Sequence, residues 1–373
     1  MKIKNNTKNI KVLAVGPAEG FITGQSLAFI KYIRSSRHEI HVINSNAEGK
    51  NNVLRALNTL NVIYCVAIKL IINKPKCIYI TTSRSKMGAI KDIVIIFMAR
   101  LRGISIVNHL HGGGFLSFRN SVGYYYGAVI DWAYRQISIS IVLHDRFLNQ
   151  YSHYPKMNLM VVYNFFDSDI INEHKKIIDA KDPVHILFLS NLYPEKGIYE
   201  LISAVKNTVI RMPGSLRLKI AGAPISCIGI SAAKCLQNIN TAIGDTFEIT
   251  YQGVADPVMK KDLLNWAHVM ALPTYMDGEA VPLCLLEGAA AGCYLLSSDY
   301  NILSEIVSDF IGKTVEVRNV KMLEEALELL IRDRSALIRA QQINPVMVGE
   351  MYSEKKYVSK IDQIISDTVK CNS

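Results

Sequence analysis

Two glutamates eight residues apart, Glu279 and Glu287, stand in the stretch PTYMDGEAVPLCLLEGAAAG from Pro273 to Gly292. Glu279 falls in a loop. Glu287 lies in an apolar run that reads as a helix starting at Pro282, a residue suited to the first helical position. A carboxylate in such a run is costly unless it accepts hydrogen bonds. Sugar or ribose hydroxyls would supply them, and so would a lysine or arginine at a core edge. The helix start around Val281, Pro282 and Leu283 favours an anion through its free amides. A second stretch, FLSNLYPEKG (188–197), ends a strand at Ser190 and sets Lys196 just before a helix. There its compact charge meets either a diphosphate or solvent. In GPAEGFITGQS (16–26), Gly16, Gly20 and Gly24 flank a loop that lets backbone approach a phosphate, or form a plain tight turn. The spacing is not GxGxxG, so a dinucleotide fingerprint is not supported. In NHLHGGGF (108–115), His109 and His111 alternate at a strand end and are read as facing opposite ways, poorly placed to share a metal. His109 goes to the core, and His111, beside the glycines at the carboxyl edge of the sheet, faces the cleft. The near-miss to an aspartate pair, Asp167-Ser168-Asp169, reads as a solvated turn. No metal and no cofactor are expected.

These residues need a large scaffold. The chain has 373 residues, half of them hydrophobic and 20% charged. That size fits two domains, and the apolar content excludes a disordered chain. Residues 1–10 are polar and no cleavable apolar run follows them, so no secretory signal is expected. The uncharged run from Ala56 to Ile68 spans 13 residues, short of the ~20 that a bilayer needs, so no transmembrane segment is expected. Seven cysteines are scattered with no CxxC pair, which suits a reducing cytoplasm. The net charge of +10 is lopsided: residues 1–180 carry 23 Lys and Arg against 10 Asp and Glu, and residues 181–373 carry 19 against 22. An anionic membrane or a phosphorylated ligand fits this better than nucleic acid, for which no recognition motif is present.

The pattern alternates strand and helix. Strands are expected at Ile10–Val15, Glu39–Asn44, Cys77–Thr82 and Ile104–His109, with helices at Gln25–Arg34, Val53–Ile72 and Met87–Leu101 between them. A polar linker, Tyr163–Pro183, precedes a second series with strands at Val184–Ser190, Leu216–Ala221, Phe247–Gln252, Val269–Pro273 and Tyr294–Ser297. An amphipathic helix, Ser353–Val369, ends the chain. This is an α/β protein of two doubly wound parallel sheets.

With these motifs in hand, the chain resembles the group 1 (family 4) retaining glycosyltransferases of GT-B fold. Glu279-x7-Glu287 resembles their E-x7-E signature, FLSNLYPEKG their strand–turn–lysine segment, and GPAEGFITGQS their N-terminal glycine loop. MGAIKDIVIIFMARLRGISIVNHLHGGGF is similar to the acceptor-domain segment, and TYQGVADPVMKKDLLNWAHVMALPTY to the segment bordering the nucleobase. The resemblance implies two Rossmann-like domains: 1–170 for the acceptor and 171–350 for a nucleotide-sugar, with an interdomain cleft. It implies that 351–373 forms a helix crossing back onto the N-terminal domain. Lys196 then neutralises the donor diphosphate and Glu279 holds sugar hydroxyls. Glu287 accepts from the ribose, and backbone amides near Val281–Leu283 sit against the sugar and phosphate, Pro282 contributing no N–H of its own. His111 contacts the sugar, Gly20 and Gly24 close on the diphosphate, and Gly253 and Val254 border the base. Three residues depart from the family pattern. Asn191 stands where many members have Arg, which shifts phosphate stabilisation onto Lys196. Ala280 replaces a Gly, and His268 replaces an Asp.

The implied activity is metal-independent transfer, with retention, from a nucleotide-diphosphate sugar to a lipid-linked glycan acceptor. Its setting is O-antigen, capsule or exopolysaccharide biosynthesis, in the cytoplasm or peripherally on the inner face of the plasma membrane. The basic N-terminal half and the helices at 53–72 and 87–101 suit an anionic membrane surface, or are simply core. The alternatives are a nucleotide-sugar epimerase of similar fold and a non-catalytic scaffold subunit.

Overall fold

The computed structural model describes residues 9–20, 23–46, 52–168, 176–226 and 230–371. Two compact units divide the chain: residues 1–164 with 355–373, and residues 165–354.

In the first unit six parallel strands, β1 (Lys11–Gly16), β2 (Glu39–Asn44), β3 (Cys77–Thr81), β4 (Ser105–Leu110), β5 (Ile139–Val142) and β6 (Leu159–Val161), lie in the order β2-β1-β3-β4-β5-β6. Helices α1 (Gly24–Ser35), α2 (Asn52–Ile72), α3 (Lys86–Leu101), α4 (Phe115–Ser121) and α5 (Tyr124–Tyr134) connect them. The chain moves from β1 outward to β2, then returns past β1 to β3, so the winding reverses between β1 and β3. Every residue of β3 and β4 is buried, as parallel strands covered on both faces must be. A reciprocal cap starts α1: Ser26 N donates to Thr23 Oγ1 at 3.1 Å, and Thr23 N donates to Ser26 Oγ at 2.7 Å. The sequence pattern shows no element between His109 and Tyr163. The structure places α4, α5, β5 and β6 there, the two strands being too short, at 4 and 3 residues, for a period to show.

In α2 the apolar stretch is longer than its uncharged run. Once Arg55 and Lys69 are counted inside it, Val53–Ile72 is a 20-residue helix of mean hydropathy 1.5, long and apolar enough to cross a membrane by length and composition. Its place in the sheet argues against spanning. It is the crossover between β2 and β3, Val62, Val66 and Leu70 are buried, and Lys69 Nζ donates to Val42 O at 2.8 Å.

The second unit repeats the plan. Its elements are β7 (Val184–Leu189), α6 (Ile198–Arg211), β8 (Leu216–Ala221), α7 (Ala232–Ile243), β9 (Ile249–Tyr251), α8 (Pro257–Trp266), β10 (Val269–Leu272), α9 (Leu283–Ala290), β11 (Tyr294–Ser298), α10 (Leu303–Ser308), β12 (Gly312–Val315), α11 (Val320–Arg332) and α12 (Ser335–Met351). The order β12-β11-β10-β7-β8-β9 puts the reversal between β7 and β10. Ligands of open α/β sheets bind at the carboxyl ends of strands beside such a reversal.

The segment expected as a polar linker is partly built into this second unit. Phe165 and Phe166 are buried, and Phe166 N donates to Tyr352 O at 3.2 Å. Lys176 Nζ donates to Ala267 O at 2.5 Å and Gln341 Nε2 to Lys176 O at 2.9 Å. Asp169 of the expected solvated turn lies outside the described residues.

The final helix, α13 (Glu354–Cys371), packs on the first unit. Its Asp362, 3% exposed, accepts from Ser36 Oγ at 2.6 Å and Arg37 N at 3.0 Å. A carboxylate so buried persists because these donors replace the water it lost.

Candidate active site

Lys196 ends a short 3-10 turn, Pro194–Lys196, that follows β7. Glu279 lies in the loop after β10. The winding of the sheet makes those strands neighbours, and Lys196 Nζ donates to Glu279 Oε2. The two side chains are 12% and 10% exposed. The backbone fixes this meeting. Tyr275 N donates to Glu195 O at 2.8 Å, and Thr274 Oγ1, fully buried, donates to the same oxygen at 3.1 Å. Thr274 Oγ1 also lies 3.3 Å from Glu279 Oε2. Gly197 allows the close approach: its φ is +75°, and a Cβ there would sit 2.0 Å from Pro273 O.

Glu287, 2% exposed, lies in α9. Its Oε1 accepts from Lys260 Nζ at 2.5 Å. Lys260 is placed by the start of α8, where Asp256 Oδ1 accepts from Met259 N at 2.8 Å and Pro257 takes the first helical position. Burial pushes the Glu287 carboxyl above its ordinary range, with Lys260 opposing. Cys284 feels all four charges. Burial drives its thiol up to about 12, with Lys196 and Lys260 pulling down and Glu287 and Glu279 pushing up. The two ion pairs therefore flank one turn of α9. Of the two partners open to Glu287 from sequence, the structure supplies the lysine.

Pro282 is the cap of α9 rather than its first helical residue, because its ψ of 122° is extended; Leu283 begins the helix. Val281 is buried, and among the described residues no side chain caps this helix start. On the other flank of β7, Leu192 N donates to Ala223 O at 2.8 Å, and Gly222 N donates to Gly253 O at 2.8 Å. Gly222 is needed there, since a Cβ would meet Ser190 O at 1.8 Å. Asn191 and Gly253 thus border one continuous rim, with Val254 exposed beyond it. Lys196, Glu279 and Glu287 occupy the side toward β10.

The remaining candidates belong to the first unit. Gly20 follows β1 and Gly24 opens α1. His111 follows β4, and here the sequence reading is overturned. Residues two apart on a strand share a face, and the rings of His109 and His111 stack with centroids 3.9 Å apart. Tyr79 OH meets His109 Nδ1 at 2.7 Å. Burial and then the neighbouring charge of Arg84 hold the His111 imidazole down at about 3. Arg84 itself donates to Gly113 O at 2.8 Å, and desolvation lowers its pKa although its side chain reaches solvent. Among the described residues no three His, Cys, Asp or Glu side chains are grouped to hold a metal ion.

Sequence reasoning missed Lys260, Thr274 and Arg84. Only Lys260 carried a signal: the Asp-Pro of ADPVMKK announces a helix start and puts Lys260 on its first turn.

Both units match, in order and winding, the two parallel-sheet domains of a GT-B glycosyltransferase fold. Residues 169–345 match the family model described as "Glycosyl transferases group 1". Compared by sequence with curated proteins, the chain finds no match. Among solved structures it is similar to HepE of Anabaena in complex with UDP, with TM-score 0.73 and 14% identity over 96% of this chain and 100% of that one. It is similar to sucrose-phosphate synthase of Thermosynechococcus elongatus, with TM-score 0.75 and 11% identity over 97% and 100%. A glycosyltransferase of Rickettsia africae gives TM-score 0.71 and 13% identity over 97% and 99%.

Proposed function

We propose that this protein is a glycosyltransferase that moves a sugar, with retention and without a metal, from a nucleotide-diphosphate sugar to a lipid-linked glycan acceptor in surface-polysaccharide synthesis. The observation that carries the reading is the Lys196–Glu279 pair at the carboxyl ends of β7 and β10. The family match over 169–345 supports it, as does the likeness to HepE, which has been seen with UDP and with UDP-glucose.

The chemistry needs two things at one place. Breaking the bond from anomeric carbon to phosphate oxygen builds negative charge on the diphosphate, and a preorganised cation stabilises that charge without reorganising. Lys196 is such a cation, held by a carboxylate on a buried threonine. Glu279 in turn accepts from sugar hydroxyls. The unsheathed start of α9 faces the phosphates with free amides. Glu287, steadied by Lys260, takes the ribose hydroxyls. As the leaving bond breaks, the acceptor oxygen bonds to the anomeric carbon on the same face, and its proton passes to the departing phosphate oxygen. His111, held neutral, serves as a hydrogen-bonding group rather than as a charge. An epimerase would instead interconvert the donor sugar with no acceptor present.

A thermal-shift series with UDP-, GDP-, ADP- and dTDP-sugars tests the reading. One nucleotide class should stabilise the protein by roughly 2–3 kcal/mol at about a hundredfold excess over Kd. No stabilisation by any of them would refute donor binding.

A further inference from the structure

We propose that the first unit docks on an anionic lipid bilayer through one face made by α2, α3 and α5, with α2 lying in the plane of the interface. This concerns a surface separate from the donor site and stands whichever sugar is transferred.

α2 carries two apolar stripes. Val62, Val66 and Leu70 are buried against the sheet. Residues two positions away on a helix lie on nearly the opposite side, and there Val53, Leu57, Leu60, Tyr64 and Ile71 are each more than half exposed. The inner stripe satisfies the fold, and among the described residues nothing covers the outer one. α3 continues the surface with Phe97 and Leu101, and α5 with Tyr125 and Trp132. The rings of Phe97 and Trp132 lie 6.0 Å apart, so the exposed side chains of neighbouring helices meet. More than half of the large apolar side chains exposed among the described residues belong to these three helices. A monomer seldom leaves so much contiguous apolar surface in water.

Charge selects the occupant. From residue 52 to residue 144 the sequence holds eleven Lys and Arg but only two acidic residues, Asp92 and Asp131. Both acids are spent inside the unit. Asp92, 1% exposed, lies 3.2 Å from Lys91 Nζ and accepts from Ser83 N at 2.8 Å. Asp131 accepts a two-pronged pair from Arg119, with Nε donating at 2.7 Å. The exposed cations, among them Arg55, Lys74, Lys76, Lys86, Arg100 and Arg102, therefore face outward with no exposed carboxylate from the same ninety-odd residues to balance them. Aromatic and aliphatic side chains framed by unopposed cations suit an interface of anionic headgroups over acyl chains. A face meant for a second copy of itself would set like charges against each other. Spanning is ruled out by the crossover role of α2 between β2 and β3.

The chain carries two tryptophans, Trp132 on this face and Trp266 in α8 of the other unit. In a Trp266→Phe background, co-sedimentation with phosphatidylcholine vesicles and with equal mixtures of phosphatidylcholine and phosphatidylglycerol is measured, together with quenching of Trp132 by brominated acyl chains. Binding to the anionic vesicles is expected at about 0.1 M salt, with a residue of it surviving at about 0.5 M, where screening removes most of the charge attraction. Trp132 quenching should accompany it. Leu57→Glu with Leu60→Glu, both at exposed positions, should weaken binding by at least about tenfold without changing the circular dichroism or the stabilisation by nucleotide-sugar. No binding at low salt overturns the proposal. So does binding without quenching, or binding abolished outright at high salt, since apolar insertion would then be absent. A dimer in solution that Leu60→Glu converts to monomer would give the face to a second copy instead.

Discussion

Replacing Lys260 with Met leaves a carboxylate in α9 without its partner while nearly preserving the side-chain stem. Glu287 is 2% exposed, so water does not take over the lost role. Breaking a buried pair by removing one member costs about 3–5 kcal/mol when no relief is available. Glu287 has one relief: it can take up a proton. Relative to the unfolded chain, where its ordinary value is 4.5, that uptake costs about 1.4 kcal/mol per pH unit. The penalty of Lys260→Met is therefore capped at about 3 kcal/mol at pH 7 and about 2 kcal/mol at pH 6, and it fades near pH 4.5. The sign follows from a raised carboxyl. The folded state binds the proton more tightly than the unfolded state, so stability falls as pH rises from the unfolded value toward the folded one. Losing Lys260 widens that window. The assay is urea unfolding followed by Trp266, at the end of α8, the helix that carries Lys260, in a Trp132→Phe background so that only the second unit is read. A double variant with Glu287→Gln should recover most of the loss. A penalty that stays flat between about pH 5 and pH 8, or below about 0.5 kcal/mol at neutrality, would refute the reasoning, because either result means that solvent reaches Glu287.

Lys196→Ala should lower kcat by about 10²–10³, as for removal of one oriented charge-stabilising group, and steady-state transfer kinetics would check it. Gly197→Ala should destabilise the second unit by at least about 1–2 kcal/mol from the left-handed backbone alone. The clash with Pro273 O adds to that, and nucleotide-sugar affinity should fall with it; urea titration and thermal shift measure the two effects. Asp362→Ala should cost about 1–3 kcal/mol in the first unit, because Ser36 and the Arg37 amide lose a buried acceptor; Trp132-reported unfolding checks this. With His111 held at about 3, the unfolded chain binds a proton that the folded chain refuses. First-unit stability should thus fall as pH drops from about 6.5, and His111→Gln should reduce that slope by about 1.4 kcal/mol per pH unit.

The sequence by itself determined the alternation of strand and helix, because fully covered parallel strands leave continuous apolar runs that no other element leaves. β2 falls on its expected residues, Glu39–Asn44, and β8 on Leu216–Ala221. It also marked Lys196, Glu279 and Glu287, since a charge at a strand end or inside an apolar helix stands out against its neighbours. Only the tertiary structure decided their partners. Lys196 meets Glu279, 83 positions away, because β10 crosses back beside β7, and a winding order leaves no trace in local periodicity. Lys260 reaches Glu287 for the same reason: two helices become neighbours only once the sheet between their strands is laid down. The stacked histidines show the converse, a purely local rule of strand geometry that was legible all along in the spacing of His109 and His111. The outer stripe of α2 shows the remaining limit. Its residues are as apolar as those facing in, and only the sheet decides which side of the helix is left for something outside the chain.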